Sequence, residues 1–321
     1  MDKKLDVVAF GELLIDFTQS GSTEEGIRRF DENPGGAPGN MAVAVAKLGR
    51  EVAFVGKVGA DLQGDLLLQT LSDNKVKIEG IISDKNFFTT LAFVQINENG
   101  ERKFSFARKP GADTQITVEE LNTEMLQSAK VFHFGSLSLT EEPSRGTTWA
   151  AAKCAKEAGA IISYDPNYRN LLWDSEEAAM EQMRSVVELV DVMKISDEET
   201  ALLTGAESPE EASQILLDQG VKVIVVTLGG EGAFVRTKEG TLKVPGYKVQ
   251  PVDTTGAGDS FWGGFIYNIV GAGKAIEDIT LAELGAFVKF GNALASLCVE
   301  KRGGIPAMPE LAEVEARLEK M

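Results

Sequence analysis

Residues 253–259 read DTTGAGD, and the apolar, helix-like run SFWGGFIYNIVG follows directly. A glycine loop that opens a helix presents unpaired backbone N–H groups and the positive end of the helix dipole. The N–H groups of Gly256, Ala257 and Gly258 can converge on an anion, because glycine permits close backbone approach and φ > 0. Asp259 is the informative residue. A carboxylate beside an anion hole repels the resting anion, so it does not serve anion binding. It makes sense as a base that takes the proton from a hydroxyl attacking that anion, which is phosphoryl transfer. Taken alone, the stretch is equally compatible with an aspartate that caps a helix near a tight turn. The loop carries no lysine, so GxxxxGK[ST] is absent, and Gly256-x-Gly258 is followed by Asp-Ser-Phe, so the dinucleotide GxGxxG fails too.

Such a loop must be positioned by a sheet. Apolar, β-branched runs predict strands at 6–11, 51–59, 130–139, 160–167, 191–196 and 222–228. Their continuous apolar character predicts burial on both faces, as in a parallel sheet. Helical patterns lie between them. NMAVAVAKLG is apolar nearly all round, with Gly49 as its expected C-terminal cap, and the helix after EPSRG closes at Gly159 in the same way. SPEEASQILLDQG opens with Ser208 as N-cap and Pro209 at the first helical position. The alternation predicts a three-layer α/β/α fold with a mostly parallel central sheet. Two segments depart from it. Residues 89–108 alternate either side of NENG and predict a β-hairpin, and residues 13–33 are strand-like with no helix between their parts. An antiparallel edge on the main sheet would explain both; a separate small β-sheet covering a cleft is preferred, because both lie beside glycine-rich loops.

The bulk numbers bound the function. The chain has 321 residues, 43% apolar and 25% charged, which is enough for a sizeable core in a single domain of residues 1–321 with the lid inserted. A net charge of −17 disfavours nucleic acid and anionic membrane as partners. Two cysteines without a CxxC pair, and one histidine, give no disulfide framework, zinc site or multi-histidine metal centre. His133, among strand residues, reads as a core or rim histidine rather than a base. The charged N-terminus is not a signal peptide, and no apolar run approaches the roughly 18 residues needed to span a bilayer. A cytoplasmic protein is expected.

The chain resembles the ribokinase-like carbohydrate kinases, the phosphofructokinase-B family. Two motifs carry the resemblance over essentially the whole chain: DTTGAGDSFWGGFI at 253–266, and GGAPGNMAVAVAKLG at 35–49 with Gly59 at the family's spacing. Within the family it is most similar to the fructokinases, on ERKFSFARKPGADTQIT (101–117), VFHFGSLSLTEEPSR (131–145), SYDPNYRNLLW (163–173) and KRGGIPAMP (301–309). Fructokinases usually carry tyrosine where Ala107 stands.

The resemblance implies an ATP-dependent kinase that phosphorylates the terminal primary hydroxyl of D-fructose, with Asp259 as base and Gly256, Ala257 and Gly258 as anion hole. It implies sugar binding by Asp16, Gly35, Gly36 and Asn40. Arg108 on the lid hairpin is a further sugar or phosphate candidate, and Asn167 and Arg169 reach donor and product phosphates. Thr227, Gly229, Gly232 and Gly258 would surround the nucleotide ribose and phosphates, with Asn292 beside the adenine. Where the family has Asn-x-x-Glu, this chain has Ser196 and Glu199; Glu199 would order Mg²⁺ through water, and both residues also fit a helix-opening capping box. A K⁺-type monovalent cation would be held, mostly by carbonyl oxygens, at Asp253, Thr255, Cys298, Lys301, Gly303 and Ala307. The lid would form a homodimer contact. A 2-keto-3-deoxygluconate kinase and a ribokinase are the rivals of the same chemistry. A non-catalytic sugar-binding regulator is disfavoured by the intact GAGD, and a dehydrogenase by the missing GxGxxG.

Overall fold

A computed structural model describes residues 3–96 and 102–320. Its main sheet has nine strands: β1 (Leu5–Phe10), β4 (Val52–Gly59), β5 (Val76–Asp84), β8 (Ala129–Gly135), β9 (Ile161–Asp165), β10 (Val192–Ser196), β11 (Val223–Thr227), β12 (Gly232–Thr237) and β13 (Gly240–Pro245). They lie in the order β13-β12-β11-β10-β9-β8-β1-β4-β5. Pairing is parallel from β11 to β5, and β12 and β13 add an antiparallel edge. All six strands expected from the sequence are present. The segment 130–139 is shorter as a strand, because residues 137–139 turn into a 3-10 helix.

Two-sided burial is visible within β1. Val7 and Ala9 belong to the core on one face and Val8 and Phe10 to the core on the other. The helices Ala37–Lys47, Ala257–Ala272 and Leu281–Cys298 cover the first face. Ser144–Glu157, Glu176–Ser185 and Pro209–Asp218 cover the second. The sheet is therefore a middle layer, as expected. Helix ends follow local chemistry: Gly49 and Gly159 adopt φ of 95° and 81°, and the Ser208 side chain accepts from the Glu211 N–H. Leu281–Cys298 reaches 18 residues with a mean hydropathy of 1.2, long and apolar enough to cross a bilayer. It packs as a core helix, with Val288, Ala293 and Leu294 fully buried.

The second sheet is separate and small. β2 (Leu14–Ser22), β3 (Arg28–Gly35), β6 (Thr90–Ile96) and β7 (Arg102–Ala107) lie in the order β3-β2-β6-β7. The two strand-like segments thus form one lid, built from an antiparallel pair each and joined by the parallel pairing of β2 with β6. The NENG turn between β6 and β7 lies outside the described residues. β5, β12 and β13 escape the sequence reading. β5 alternates buried and exposed residues around Gly80, and β12 begins directly at the glycine turn that ends β11.

Candidate active site

The site forms where the parallel strands end, the place where open α/β sheets bind ligands. Gly256 is the N-cap of helix Ala257–Ala272, at φ 77°, and a β-carbon there would lie 3.1 Å from Gly304 Cα. Only glycine meets both conditions. The helical ladder begins at Ser260 N–H, which donates to Gly256 O at 2.8 Å, so the Gly258 and Asp259 amides precede it. One part of the expected anion hole differs: the Ala257 N–H turns back to Thr254 O at 3.2 Å, closing the loop on itself.

Asp259 is buried, and two side-chain amides hold its carboxylate. Asn40 Nδ2 donates to Oδ2 at 2.8 Å and Asn167 Nδ2 to Oδ1 at 3.3 Å. Each oxygen thus has one amide donor, which fixes the plane of the carboxyl group. Burial, and then the neighbouring Asp165 carboxylate, push its pKa up to about 6, against the pull of Asn40, Lys194 and Arg169. Asn167 reaches the carboxylate from a strained backbone, φ 46°. Asn40 sits in the first turn of Ala37–Lys47, and its Oδ1 is buried beside Gly304 with no hydrogen-bond partner among the described residues.

The lid delivers Asp16. Burial raises its pKa to about 6, with Arg169 as the main opposing charge. A β-carbon on Gly35 would lie 2.8 Å from Asp16 Oδ2, and one on Gly36 would lie 2.4 Å from Glu12 O, so the glycine pair lets the backbone pass close to Asp16 and to the chain entering β2. Arg169 itself is exposed, and among the described residues its side chain donates only to Tyr168 O. Arg108 is not brought to the cleft. It is buried, pairs with Asp113, and donates to Thr140 Oγ1 and Leu137 O. These bonds fasten the end of β7 to the body and remove it from the substrate contacts expected of it.

Glu199 completes a capping box, accepting from Ser196 N–H and Oγ–H at 2.8 and 3.0 Å, and also accepts from the Tyr168 N–H at 2.7 Å. Three donors leave the carboxylate with lone-pair capacity for one more partner, so a magnesium role through water fits. Asp253 ties two loops together: Oδ1 accepts from Thr255 and Oδ2 from the Gly303 N–H at 3.0 Å. Cys298 Sγ lies 3.7 Å from Thr255 O. Segments 253–255 and 298–303 therefore meet, as a carbonyl-lined cation site requires. Lys301's ammonium pairs with Glu313, leaving only its backbone for that role.

The nucleotide candidates lie further along the sheet edge. Gly229, at φ 53°, has open space on its side-chain position. Gly232 does not: a β-carbon there would lie 2.1 Å from Val244 O, so its reason is strand packing. Thr227 Oγ1 donates to Ile195 O at 3.3 Å, and Asn292 donates to Val244 O and Pro245 O, which pins β13 to its helix. His133 is a core residue, its pKa driven down to about 3 by burial, and Ser163 Oγ lies 2.9 Å from its Nδ1. Sequence reasoning missed Glu12, Asp165 and Lys194. All three are buried and charged: Asp165 closes β9, Lys194 sits in the middle of β10 and Glu12 lies between β1 and β2, and a charged residue within an apolar stretch was the available signal.

Comparison with known proteins identifies the family. The chain is 45% identical over 310 residues to fructokinase-2 of Solanum lycopersicum, covering 96% of this chain and 94% of that protein. Among solved structures, a fructokinase with bound ATP from Xylella fastidiosa superposes with a TM-score of 0.91 at 33% identity, covering 98% of both chains. A Vibrio cholerae O395 fructokinase in its fructose, ADP and calcium ion bound form superposes at 0.90 and 35%, covering 99% of this chain and 100% of that one. The family model for pfkB family carbohydrate kinases matches residues 4–311, which span both glycine motifs, the lid and every strand of the main sheet. With this match over nearly its whole length, the chain belongs to the pfkB family of carbohydrate kinases.

Proposed function

We propose that this protein is an ATP-dependent fructokinase, transferring the γ-phosphoryl group of ATP to the terminal primary hydroxyl of D-fructose to give fructose 6-phosphate and ADP. The observation that carries the reading is the Asp259 carboxylate, clamped by Asn40 and Asn167 at the N-terminus of the loop helix. The relatives named fructokinase match over nearly the whole chain and supply the sugar class.

Asp16 and Asn40 Oδ1 accept sugar hydroxyls, and the lid that carries Asp16 excludes water. Asp259 takes the hydroxyl proton as the oxygen attacks phosphorus. The Gly258 amide and the helix dipole hold the charge on the transferring group, with Arg169 at the rim. Glu199 would help hold magnesium through water, and that ion would supply neutralisation of phosphate charge. The 253–255 and 298–303 loops would hold a monovalent cation and so set the shape of the glycine loop. The lid is proposed to pair with a second copy.

A coupled ADP-release assay across fructose, ribose, 2-keto-3-deoxygluconate and adenosine tests this reading. Fructose is expected to give the highest kcat/KM. A higher value for another sugar moves the assignment within the family, and no stimulation by any of them removes it.

A further inference from the structure

The glycine loop contains no lysine, yet the fold brings one to it from a different strand. Lys194, in the middle of β10, is buried, and its Nζ lies 3.3 Å from the point where a β-carbon on Gly258 would sit. Its Cε lies 3.5 Å from the same point. Any side chain at position 258 would press on the ammonium, so Gly258 serves the neighbouring lysine as well as the loop.

An ammonium has three N–H groups. One donates to Asp165 Oδ2 at 2.7 Å. The carboxylates of Asp165, Glu199 and Asp259 keep the group charged despite its burial. Asp165 is itself buried, and its Oδ1 has no partner. An ion pair kept solely for stability would be poorly placed here, because buried pairs of this kind are often replaced by apolar residues without loss. What distinguishes this pair is its position, against Gly258 in the first turn of the loop helix.

We propose that Lys194 is a further catalytic residue, whose ammonium contacts the γ-phosphoryl oxygens of ATP and stays with that group as it crosses to the sugar. Asp165 holds the lysine stem in place and leaves its remaining N–H groups for phosphate. In the step, the sugar oxygen–phosphorus bond forms and the bond from γ-phosphorus to the β,γ-bridging oxygen breaks. The hydroxyl proton goes to Asp259 and ADP leaves with the bonding pair. Lys194 remains protonated throughout. It takes the part that a lysine inside the loop plays in other phosphate-binding glycine loops, delivered across the sheet instead of along the chain.

The inference rests on the kinase reading above, and its test separates the two. Lys194→Met alone leaves Asp165 buried and unpaired, which threatens folding. The decisive variant is therefore Lys194→Met/Asp165→Asn, with Asp165→Asn alone as reference. Calorimetric affinities for ATP and ADP with magnesium are measured in the full-length protein, beside fructose turnover. Losing one charge-assisted contact to the γ-phosphate should lower the ATP-to-ADP affinity ratio about tenfold in the double variant. The same variant should keep its ADP affinity and melting temperature, and lose turnover by roughly 10²-fold. Asp165→Asn alone should keep the ratio. An unchanged ratio in the double variant overturns the proposal whatever happens to turnover, as does an equal loss in Asp165→Asn alone. If the wild type phosphorylates no sugar but the ratio still falls, Lys194 stands and the fructokinase assignment falls.

Discussion

Asn40 donates its side-chain amide to Asp259 across 2.8 Å, joining residues 219 positions apart in the chain. The contact couples the sugar-binding glycine motif to the phosphoryl-transfer loop. It leaves Asn40 Oδ1 buried without a hydrogen-bond partner among the described residues.

Asp259→Asn removes the base and keeps the shape. Turnover should fall by roughly 10²–10⁴-fold, the usual contribution of a positioned base. Calorimetric titration should find fructose and ATP binding largely kept. Wild-type turnover in this variant would end the assignment of Asp259 as base.

The same carboxylate sets the pH dependence. Asp259 and Asp16 both have pKa values raised from 3.8 to about 6. Both act as carboxylates, so kcat/KM should be flat above pH 7 and fall as pH drops through about 6, more steeply than a single proton requires. Stability follows the opposite sign. A carboxyl whose folded pKa lies above its unfolded value costs nothing below the unfolded value and its full penalty above the folded one. Asp259→Asn should therefore raise stability at pH 7.5, by at most about 3 kcal/mol, and leave it unchanged near pH 3.5. Urea melts at the two pH values check this; equal shifts at both would show that the gain has another source.

Local chemistry made most of this site legible. Glycine punctuation, an apolar helix and a carboxylate fixed the loop. Two-sided apolar strands fixed the sheet, and the lid followed from strand pattern without an intervening helix. Arg108 was misplaced because its destination depends on Asp113 and Thr140, which the sequence does not bring near it. Lys194 was invisible for the same reason. Position 194 lies in the middle of an apolar strand, and nothing local shows that Gly258 lies against its ammonium. Contacts made within one turn or one strand are written in order along the chain; contacts made across the sheet are not.

Arg169 should act mainly through its charge. It is exposed, yet it lowers the pKa of both Asp16 and Asp259. Arg169→Ala should raise KM for ATP and lower kcat/KM about tenfold, the scale of one lost charge-assisted phosphate contact. It should also move the acid limb of the pH profile upward. Arg169→Lys should keep the limb in place while recovering only part of the ATP affinity, because a point charge lacks the bidentate fork. An unmoved limb in the alanine variant would mean that salt and water screen the guanidinium completely.

The lid carries the last prediction. Strand register sets Asp16 beside Ala92 and Phe106, and Thr18 beside Val94 and Phe104, in adjoining rows. Paired residues in a sheet share a face, so the surface that presents Asp16 continues outward to Phe104. Phe104 stacks on Phe106 and is 44% exposed. A second copy, packing its own lid there, would cover this aromatic row and hold both sheets over their sugars. Light scattering should then find a dimer for the wild type at micromolar concentration and a monomer for Phe104→Glu. The monomer should bind ATP normally and show a raised KM for fructose, because Asp16 would stand on an unsupported sheet. A wild type that is monomeric under these conditions, or a Phe104→Glu dimer, would place the subunit contact elsewhere or remove it.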